Sequence, residues 1–298
     1  MRAVVMRETG DPSVLRFEDV DRPELAEGEL LIDVRAISLN PIDWKLRRGA
    51  MPRELPTVLG SDVSGTVAES RAEGLDTGGD VFGFATGAYA EQAVARAAMV
   101  ARMPHGLTYE QAAAIPVAGM TAWQALFDRG GLKRGQTALI AGAAGGVGHF
   151  AVQFCRHAGV SAIGIGSGAN RDFVMRLGAS GYVDYTSEEV EQAVSDVDMA
   201  FDAVGGATTS RLLAPIREGG ILVTIAGEPP EEAARERGVR AELLVMSPDA
   251  ERLASIGELV ASGEVRVEIS HELALADVQR AHELSESGHT RVKIVLKP

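Results

Sequence analysis

Apolar and polar positions follow one pattern before about residue 105 and a different one after it. The first region has short apolar runs, and Leu30–Ile37 alternates in the way that is typical of a half-buried strand. Turn sequences at Gly10–Pro12 and Glu27–Gly28 separate these runs. From Thr108, where a capping-box pattern starts a helix, apolar strands alternate with amphipathic helices. The chain therefore predicts an α/β protein with a β-rich domain and a parallel, doubly wound sheet.

The second pattern is regular enough to place individual elements. Helices are expected at Gly119–Asp128, Arg171–Leu177, around Leu253–Val260 and at Asp277–Ser287. The strands are predicted at Ala138–Ala141, Val160–Ile165, Tyr182–Tyr185, Ala200–Val204, Gly220–Ile225 and Arg240–Val245. Residues from Val265 onwards return to strand, helix and strand (Arg291–Leu296), and we expect them to rejoin the first domain.

A glycine-rich turn links the first of these strands to its helix. Ala143, Gly145 and Gly148 occupy the small-residue positions of a G-x-G-x-x-G motif, and apolar residues follow at helical spacing from Val147. Small residues allow a tight turn and let the backbone approach a pyrophosphate, which the helix N-terminus then attracts. We expect these residues to bind the pyrophosphate of a dinucleotide: Ala144, Gly145, Gly146 and Val147.

The end of the next strand indicates which nicotinamide cofactor binds. NAD-binding folds place an acidic residue there, about 20 residues past the glycines, to hold the ribose 2′-hydroxyl. This chain has no acid before Asp172, and it offers Ser167, Asn170 and Arg171 instead. These side chains suit a 2′-phosphate, so NADPH is favoured over NADH. The alternative for Arg171 is an exposed arginine at a helix start.

Composition excludes several other classes of protein. A formal net charge of −13 argues against a nucleic-acid partner. No apolar run is long enough to span a membrane, and the N-terminus lacks the apolar core of a signal peptide. The single cysteine, Cys155, rules out an intrachain disulfide and a cysteine-built zinc site. We therefore expect a cytoplasmic protein.

A polar segment, Asn40–Gly49, follows a strand in the first region. Asn40 can cap a short helix, Pro41 suits its first turn, and Asp43 is spaced to pair with Arg47. The segment is either part of an active-site wall or a solvated helical turn. Asp62, in the next motif, is either a structural carboxylate or a site residue.

Several motifs together resemble the medium-chain dehydrogenase/reductase superfamily, and within it the zinc-free quinone oxidoreductase branch. The resemblance covers nearly the whole chain. The motifs that carry it are N-P-I-D-W-K (Asn40–Lys45), G-S-D-V-S-G (Gly60–Gly65), G-A-Y-A-E (Gly87–Glu91), T-A-W (Thr121–Trp123), A-A-G-G-V-G (Ala143–Gly148), L-G-A (Leu177–Ala179) and the closing Gly288–Leu296. In the last motif Val292 stands where the family usually has glycine.

The resemblance implies an architecture and further site residues. A GroES-like domain would comprise residues 1–112 and 266–298, a Rossmann domain residues 113–265, and the active site would lie in a cleft between them. Tyr185 would help to hold the 2′-phosphate, Val204 and Gly205 would line the ribose, and Ala226 with Gly227 would contact the nicotinamide end. Thr121 and the Asn40–Lys45 segment would face the substrate.

The same resemblance implies a metal-free hydride transfer. Zinc-dependent members carry Cys in the first motif and Gly-His-Glu in the second, whereas this chain has Lys45 or its neighbours and Gly60-Ser61-Asp62. The expected reaction is NADPH-dependent reduction of a quinone or an α,β-unsaturated carbonyl compound. Negative charge would develop on the substrate oxygen, and Asn40, Lys45 and Thr121 are the candidate donors that would stabilise it.

Two alternatives remain open at the level of sequence: an NADPH-binding sensor or scaffold with little turnover, and an enoyl-thioester reductase. The resemblance also implies a homodimer, because relatives pair the edge strands of their cofactor sheets, and Arg240–Val245 is the candidate edge strand.

Overall fold

The computed structural model describes residues 1–288 and 290–298, so His289 of the predicted closing motif lies outside the described residues. The described chain contains these strands: β1 (Arg2–Met6), β2 (Leu15–Asp19), β3 (Glu29–Leu39), β4 (Thr57–Val58), β5 (Asp62–Ser70), β6 (Asp80–Phe84), β7 (Gln92–Arg96), β8 (Val100–Arg102), β9 (Thr137–Ala141), β10 (Ser161–Gly166), β11 (Gly181–Asp184), β12 (Val197–Asp202), β13 (Ile216–Thr224), β14 (Arg240–Leu243), β15 (Ile269–Ala274) and β16 (Lys293–Lys297).

The α-helices of the described residues are α1 (Pro41–Arg47), α2 (Tyr109–Ala113), α3 (Pro116–Trp123), α4 (Gly148–Ala158), α5 (Arg171–Arg176), α6 (Val190–Ala193), α7 (Ala207–Arg211), α8 (Glu231–Glu236), α9 (Ala250–Ala261) and α10 (Val278–Glu286). No helix among these residues is both long and apolar enough to cross a membrane.

The chain folds into two compact units. The first comprises Met1–Val117, Pro248–Gly263 and Val267–Pro298, and the second comprises Ala118–Ser247 and Glu264–Arg266. In the first unit a sheet of order β15-β16-β3-β5-β6-β8, with β7 also paired to β3, accompanies a smaller sheet of order β2-β1-β4. The alternating apolar positions of β3, such as Leu30 and Ile32, pack into one core with residues of β1, β5 and α10.

The second unit is a six-stranded parallel sheet of order β11-β10-β9-β12-β13-β14. Counted along the chain, this is the strand order 3-2-1-4-5-6 of a dinucleotide-binding fold, in which the direction of winding reverses between β9 and β12. Leu139, Ala200 and Leu222 are fully buried in its core. The predicted doubly wound parallel sheet is therefore confirmed.

Several predicted elements have other bounds in the structure. The strand expected at Gly220–Ile225 begins earlier, at Ile216, and the strand expected at Arg240–Val245 ends at Leu243. The strand expected to reach Val204 ends at Asp202, because the Asp202 carboxylate accepts the backbone N–H groups of Val204 and Gly205 and turns the chain out of the sheet. The helix expected at Gly119–Asp128 begins earlier, at Pro116, and continues after Trp123 as a π-helical segment, Gln124–Arg129.

The sequence-based domain ranges also differ from the two units. Residues 248–263, assigned to the Rossmann domain, belong to the first unit, because α9 packs on β8 and Gly257 lies against Phe82 and Pro104. Residues 113–117 also belong to the first unit. They follow α2, whose Tyr109 carbonyl accepts the Ser64 hydroxyl of β5 at 2.6 Å.

Candidate functional site

The second unit concentrates its loops with small residues at the carboxyl edge of the parallel sheet. Gly142, directly after β9, has φ +73°, a left-handed conformation that favours glycine. A Cβ atom on Gly148 would collide with the Gly142 carbonyl and lie 2.8 Å from Ala143 Cα. Only glycine at position 148 therefore lets α4 start this close to β9. The first N–H groups of a helix lack intrahelical acceptors, which suits an anion such as a pyrophosphate.

Asp202 organises the neighbouring loops and was missed by the sequence reasoning. One of its oxygens accepts the N–H groups of Val204 and Gly205, both at 2.9 Å. The other accepts the hydroxyls of Thr209 at 2.5 Å and Thr224 at 3.4 Å, and Thr224 in turn accepts the N–H of Ala226. One buried carboxylate thus shapes the loops after β12 and β13. The available signal was an acid that ends an apolar strand just before Gly205-Gly206.

The loops after β10 and β11 bring the predicted ribose-end residues together. Asn170 Nδ2 lies 3.3 Å from Ser167 Oγ, and the Tyr182 hydroxyl donates to the Ser167 carbonyl at 2.7 Å. The Arg171 guanidinium lies 5.3 Å from the centre of the Tyr182 ring and 3.3 Å from a Glu188 carboxylate oxygen. Tyr185, which directly follows β11, is 59% exposed. Tyr182 therefore supports the loop in which the cofactor preference was predicted.

All predicted cofactor residues follow the carboxyl ends of parallel strands. Ala144 to Val147 follow β9, Ser167 to Arg171 follow β10, and Tyr185 follows β11. Val204 and Gly205 follow β12, and Ala226 and Gly227 follow β13. A Cβ on Gly205 would lie 2.6 Å from the Ala226 carbonyl oxygen, so these last two loops touch. The carboxyl edge at a reversal of winding is where open α/β sheets bind nucleotides, and the close-packed glycines fit a dinucleotide.

The first unit contains a second group of functional candidates, buried beneath the N-P-I-D turn. Asn40 is 2% exposed, and both ends of its amide are engaged. The Lys293 ammonium donates to Asn40 Oδ1 at 2.6 Å, and Asn40 Nδ2 donates to Asp62 Oδ2 at 2.9 Å. The backbone N–H of Val117 also donates to Asp62, at 3.2 Å. The Asn40 amide thus links a buried ammonium to a buried carboxylate.

Asp43 extends this group towards α10. Asp43 Oδ2 accepts the backbone N–H of Asn40 at 2.8 Å and the Tyr89 hydroxyl at 3.0 Å. His282 Nε2 lies 3.3 Å from the Tyr89 oxygen. Because the Tyr89 proton points to Asp43, His282 donates through Nε2. We call these residues the buried polar cluster: Asn40, Asp43, Asp62, Tyr89, His282 and Lys293.

Burial controls the protonation of the cluster. It raises the pKa of Asp43 to about 6 and that of Asp62 to about 7, although the Lys293 charge opposes both shifts. It lowers the pKa of Lys293, which the two carboxylates oppose. Burial and the nearby Arg47 lower the pKa of His282 to about 3, so this imidazole is neutral at pH 7.

The predicted Asp43–Arg47 pair does not form. Arg47 is fully buried and its Nη2 lies 2.6 Å from a Glu286 carboxylate oxygen, while Arg48 contacts the other oxygen. Asp43 is instead taken by the Asn40 N–H and the Tyr89 hydroxyl. The i, i+4 spacing allowed the helical pair, but α10 presents a carboxylate to Arg47.

The other two predicted catalytic residues lie in different units. Lys45 is half-buried on α1, with its ammonium 5.8 Å from the centre of the Trp44 ring. Thr121 is buried on α3, in the second unit. Across residues 1–288 and 290–298, no three His, Cys, Asp or Glu side chains are arranged to hold a metal ion. Cys155 is buried, which raises the pKa of its thiol to about 12.

The fold and the carboxyl-edge site place the chain in the class of two-domain proteins with a dinucleotide-binding sheet. Residues 26–105 match the alcohol dehydrogenase GroES-like domain, and residues 177–296 match a family described as zinc-binding dehydrogenase. An NADPH-dependent alkenal/one oxidoreductase of Arabidopsis thaliana is 30% identical, over 100% of this chain and 80% of the relative.

Solved structures agree with these matches. The quinone oxidoreductase from Coxiella burnetii is 35% identical, with a TM-score of 0.96 over 100% of this chain and 99% of the other. The Escherichia coli quinone oxidoreductase complexed with NADPH is 26% identical, with a TM-score of 0.93 over 100% of both chains. The chain belongs to the medium-chain dehydrogenase/reductase superfamily, in its quinone oxidoreductase branch.

Proposed function

We propose that this protein is a zinc-independent oxidoreductase that uses NADPH to reduce a quinone or an α,β-unsaturated carbonyl compound. The observation that carries the proposal is the carboxyl edge of the parallel sheet, where the Gly142–Gly148 turn, the Ser167–Arg171 loop and the Asp202-shaped loops follow neighbouring strands. The relatives named above, one NADPH-dependent and one solved with NADPH, support this cofactor.

Different residues of the chain would bind different parts of NADPH. The glycine turn and the start of α4 would hold the pyrophosphate, and Ser167, Asn170, Arg171 and Tyr185 the 2′-phosphate. NADPH, when bound, supplies the hydride. Quinone reduction also consumes one proton, and solvent can provide it because the hydroquinone oxyanion is a stable aromatic species. An enone depends more strongly on a positioned donor.

Lys45 and Thr121 remain our candidates to stabilise the negative charge that develops on the substrate oxygen. Loss of one such donor costs about 10²–10³ in rate. We assign Asn40 to positioning, because Lys293 and Asp62 already engage both ends of its amide. Without zinc, cationic and hydroxyl donors of this kind must supply the stabilisation.

The test is NADPH oxidation, with NADH in parallel, after chelation of metals, against a panel of quinones and short enones. Turnover that survives chelation and prefers NADPH supports the proposal. NADPH binding without turnover on either class of acceptor contradicts it and favours a sensor. We expect Lys45→Ala to lower turnover on enones more than on quinones, and Lys133→Ala, on an exposed loop, to leave both unchanged. Unchanged turnover in Lys45→Ala removes Lys45 from the mechanism.

We also propose a homodimer formed along the edge strand β14. In the described chain β14 pairs on one side, with β13. Leu243, which ends β14, is 39% exposed, and Val245, two residues beyond the strand, is 77% exposed. Analytical ultracentrifugation should show a dimer that Val245→Asp weakens, and a monomer at micromolar concentration would refute it. The cytoplasmic location stays a prediction.

A further inference from the structure

The C-terminal strand delivers a lysine to the buried polar cluster through an unfavourable backbone conformation. Val292 has φ +55°, a left-handed conformation that is rare and strained for a β-branched residue. The next residue, Lys293, is 3% exposed and begins β16, whose Ile294, Val295 and Leu296 are buried in the first unit. A conformation of this kind persists only where the surrounding contacts over-determine it. Those contacts therefore hold the Lys293 side chain inside the unit.

The Lys293 ammonium determines how the Asn40 amide is oriented. An ammonium only donates hydrogen bonds and an ionised carboxylate only accepts them. Asn40 must therefore direct Oδ1 to Lys293 and Nδ2 to Asp62, as observed at 2.6 and 2.9 Å. Without the ammonium, Asn40 Oδ1 loses its donor, and Asp62 is protonated up to a higher pH. A protonated carboxyl can donate to the amide oxygen, so either rotamer of the amide could then be satisfied.

Asn40, which Lys293 orients, also determines the start of α1. The Asn40 N–H donates to Asp43 Oδ2, and the Tyr89 hydroxyl donates to the same oxygen. Lys45 lies five positions further along, on the same short helix. A shift of Asn40 would consequently move both the helix start and the side chain that we assign to the substrate oxygen.

We propose that Lys293 is a positioning residue of the reductase reaction, and that its ammonium holds the Asn40 amide and the first turn of α1 in their active arrangement. This inference rests on the proposed function. It assigns the lysine no contact with substrate or cofactor.

The charges around Asp62 predict a pH signature for this role. Two charged groups face Asp62, the Lys293 ammonium from β16 and the Asp43 carboxylate from the N-P-I-D turn. Its other neighbours are polar: the Asn40 amide, the Val117 N–H, the Ser61 hydroxyl and the Tyr89 phenol. Further away, the charge of Arg47 lowers the pKa of Tyr89, and the charge of Arg53 lowers that of Asp43. Lys293 is the strongest influence that lowers the pKa of Asp62. Removing its charge should raise the pKa of Asp62 above about 7, so that the carboxylate takes up its proton at higher pH.

The test compares Lys293→Met with Lys297→Met, which makes the same change on the same strand at a lysine bound to Glu110 and Glu272 on the surface. We expect Lys293→Met to lower kcat by roughly 10–100-fold, the effect of a small misplacement of reacting groups. Its affinity for NADPH should be unchanged, and the acid limb of its kcat/KM profile should move to higher pH. Lys297→Met should match the wild type in all three.

Further measurements separate the possible failures. Wild-type kcat and an unmoved acid limb in Lys293→Met overturn the inference, and so does a loss of kcat that only follows the folded fraction. If Lys293→Met does not fold, Lys293→Gln, which keeps a donor but no charge, should show the same shift of the acid limb. Lys293→Arg, which restores the charge, should recover part of kcat.

Hydrogen exchange gives a readout that needs no turnover. The amides of residues 40 and 42–46 should exchange faster in Lys293→Met than in the wild type and in Lys297→Met, and equal exchange overturns the inference. An inactive wild type refutes the proposed reduction itself. An active wild type with an equally active Lys293→Met variant refutes only the role of Lys293.

Discussion

The two candidate regions of this protein, the carboxyl edge of the parallel sheet and the buried polar cluster, consist of different chemical groups. At the carboxyl edge of the parallel sheet the important groups are backbone N–H groups and glycines that follow consecutive strands. In the buried polar cluster they are side chains from positions 40 to 293, brought together by β5, β16, α1 and α10.

The two regions also treat their buried carboxylates differently. Asp202 accepts two backbone N–H groups and two hydroxyls, all from within 22 positions of sequence, and so fixes the loops that carry the predicted cofactor residues. Asp62 has fewer donors and depends on the ammonium of Lys293, which lies far away in sequence. A site made of local backbone tolerates many surrounding sequences, whereas a cluster of opposing buried charges depends on every member.

Replacing a single glycine should break the backbone-built region. In Gly148→Val the new side chain meets the Gly142 carbonyl and Ala143, which overpacks the turn. Overpacking costs about 1–3 kcal/mol. If the same free energy is lost from cofactor binding, the affinity for NADPH falls by roughly 5–150-fold. Calorimetric titration measures the effect, and Gly181→Ala, where a Cβ meets only ordinary contacts at 3.6 Å, is the control. Undiminished affinity in Gly148→Val would show that the turn does not hold the cofactor.

A comparison of two aspartates on β12 sharpens the contrast. Asp202→Asn exchanges an acceptor for a donor beside the N–H groups of Val204 and Gly205, so these loops should loosen and NADPH should bind about tenfold more weakly, near the typical value of a hydrogen bond to a charged group. Asp198, at the opposite end of the strand, accepts the Thr137 N–H and pairs with Arg217. Asp198→Asn should lower the thermal midpoint but leave the affinity unchanged. Equal affinities for NADPH in the two variants would show that Asp202 does not shape the cofactor site.

The smallest expected effect tests the neutral histidine of the buried polar cluster by pH. The pKa of His282 is lowered from 6.5 to about 3, so its contribution to folding is present above pH 6.5 and is lost as the pH falls towards 3. Asp43 and Asp62, whose pKa values are raised, act in the opposite direction, and only a difference between variants isolates the histidine.

Unfolding free energies of wild type and His282→Phe should therefore diverge below pH 6.5. The variant should gain on the wild type by up to about 1.4 kcal/mol per pH unit. His105→Phe, at an exposed position, should follow the wild type. Parallel curves for wild type and His282→Phe would mean that the pKa of His282 is the same in the folded and the unfolded protein, so that burial does not keep it neutral.

The carboxyl edge of the parallel sheet, where we propose that the cofactor binds, could be predicted in detail because its signals are local. Strand, glycine turn and helix are adjacent in sequence, and parallel strands bring their carboxyl ends to one edge of the sheet. The loops at residues 144–147, 167–171, 204–205 and 226–227 therefore share that edge. Asp202 was missed because a carboxylate at a strand end has many possible partners.

In the first unit only the polar segment Asn40–Gly49 could be predicted, and not its contacts. Asn40 and Pro41 mark a helix start, and α1 begins at Pro41. The Asp43 carboxylate, which was expected to pair with Arg47, instead accepts the Asn40 N–H at this helix start. The partners of Arg47 and Asn40 could not be predicted, because Glu286 and Lys293 lie more than two hundred positions away. Val292 was recognisable as a departure from glycine, but its left-handed backbone and the buried lysine that follows emerge only from the fold.

The sequence by itself determined the parallel sheet, the glycine turn and the family, because hydrophobic period and small residues act over a few neighbouring positions. The tertiary structure alone decided which charges are buried together and in which protonation state. Desolvation and Coulomb interactions depend on distances between side chains that only the folded chain sets. For Asn40, Asp62 and Lys293 those distances are 2.6 and 2.9 Å, across 253 and 22 positions of sequence.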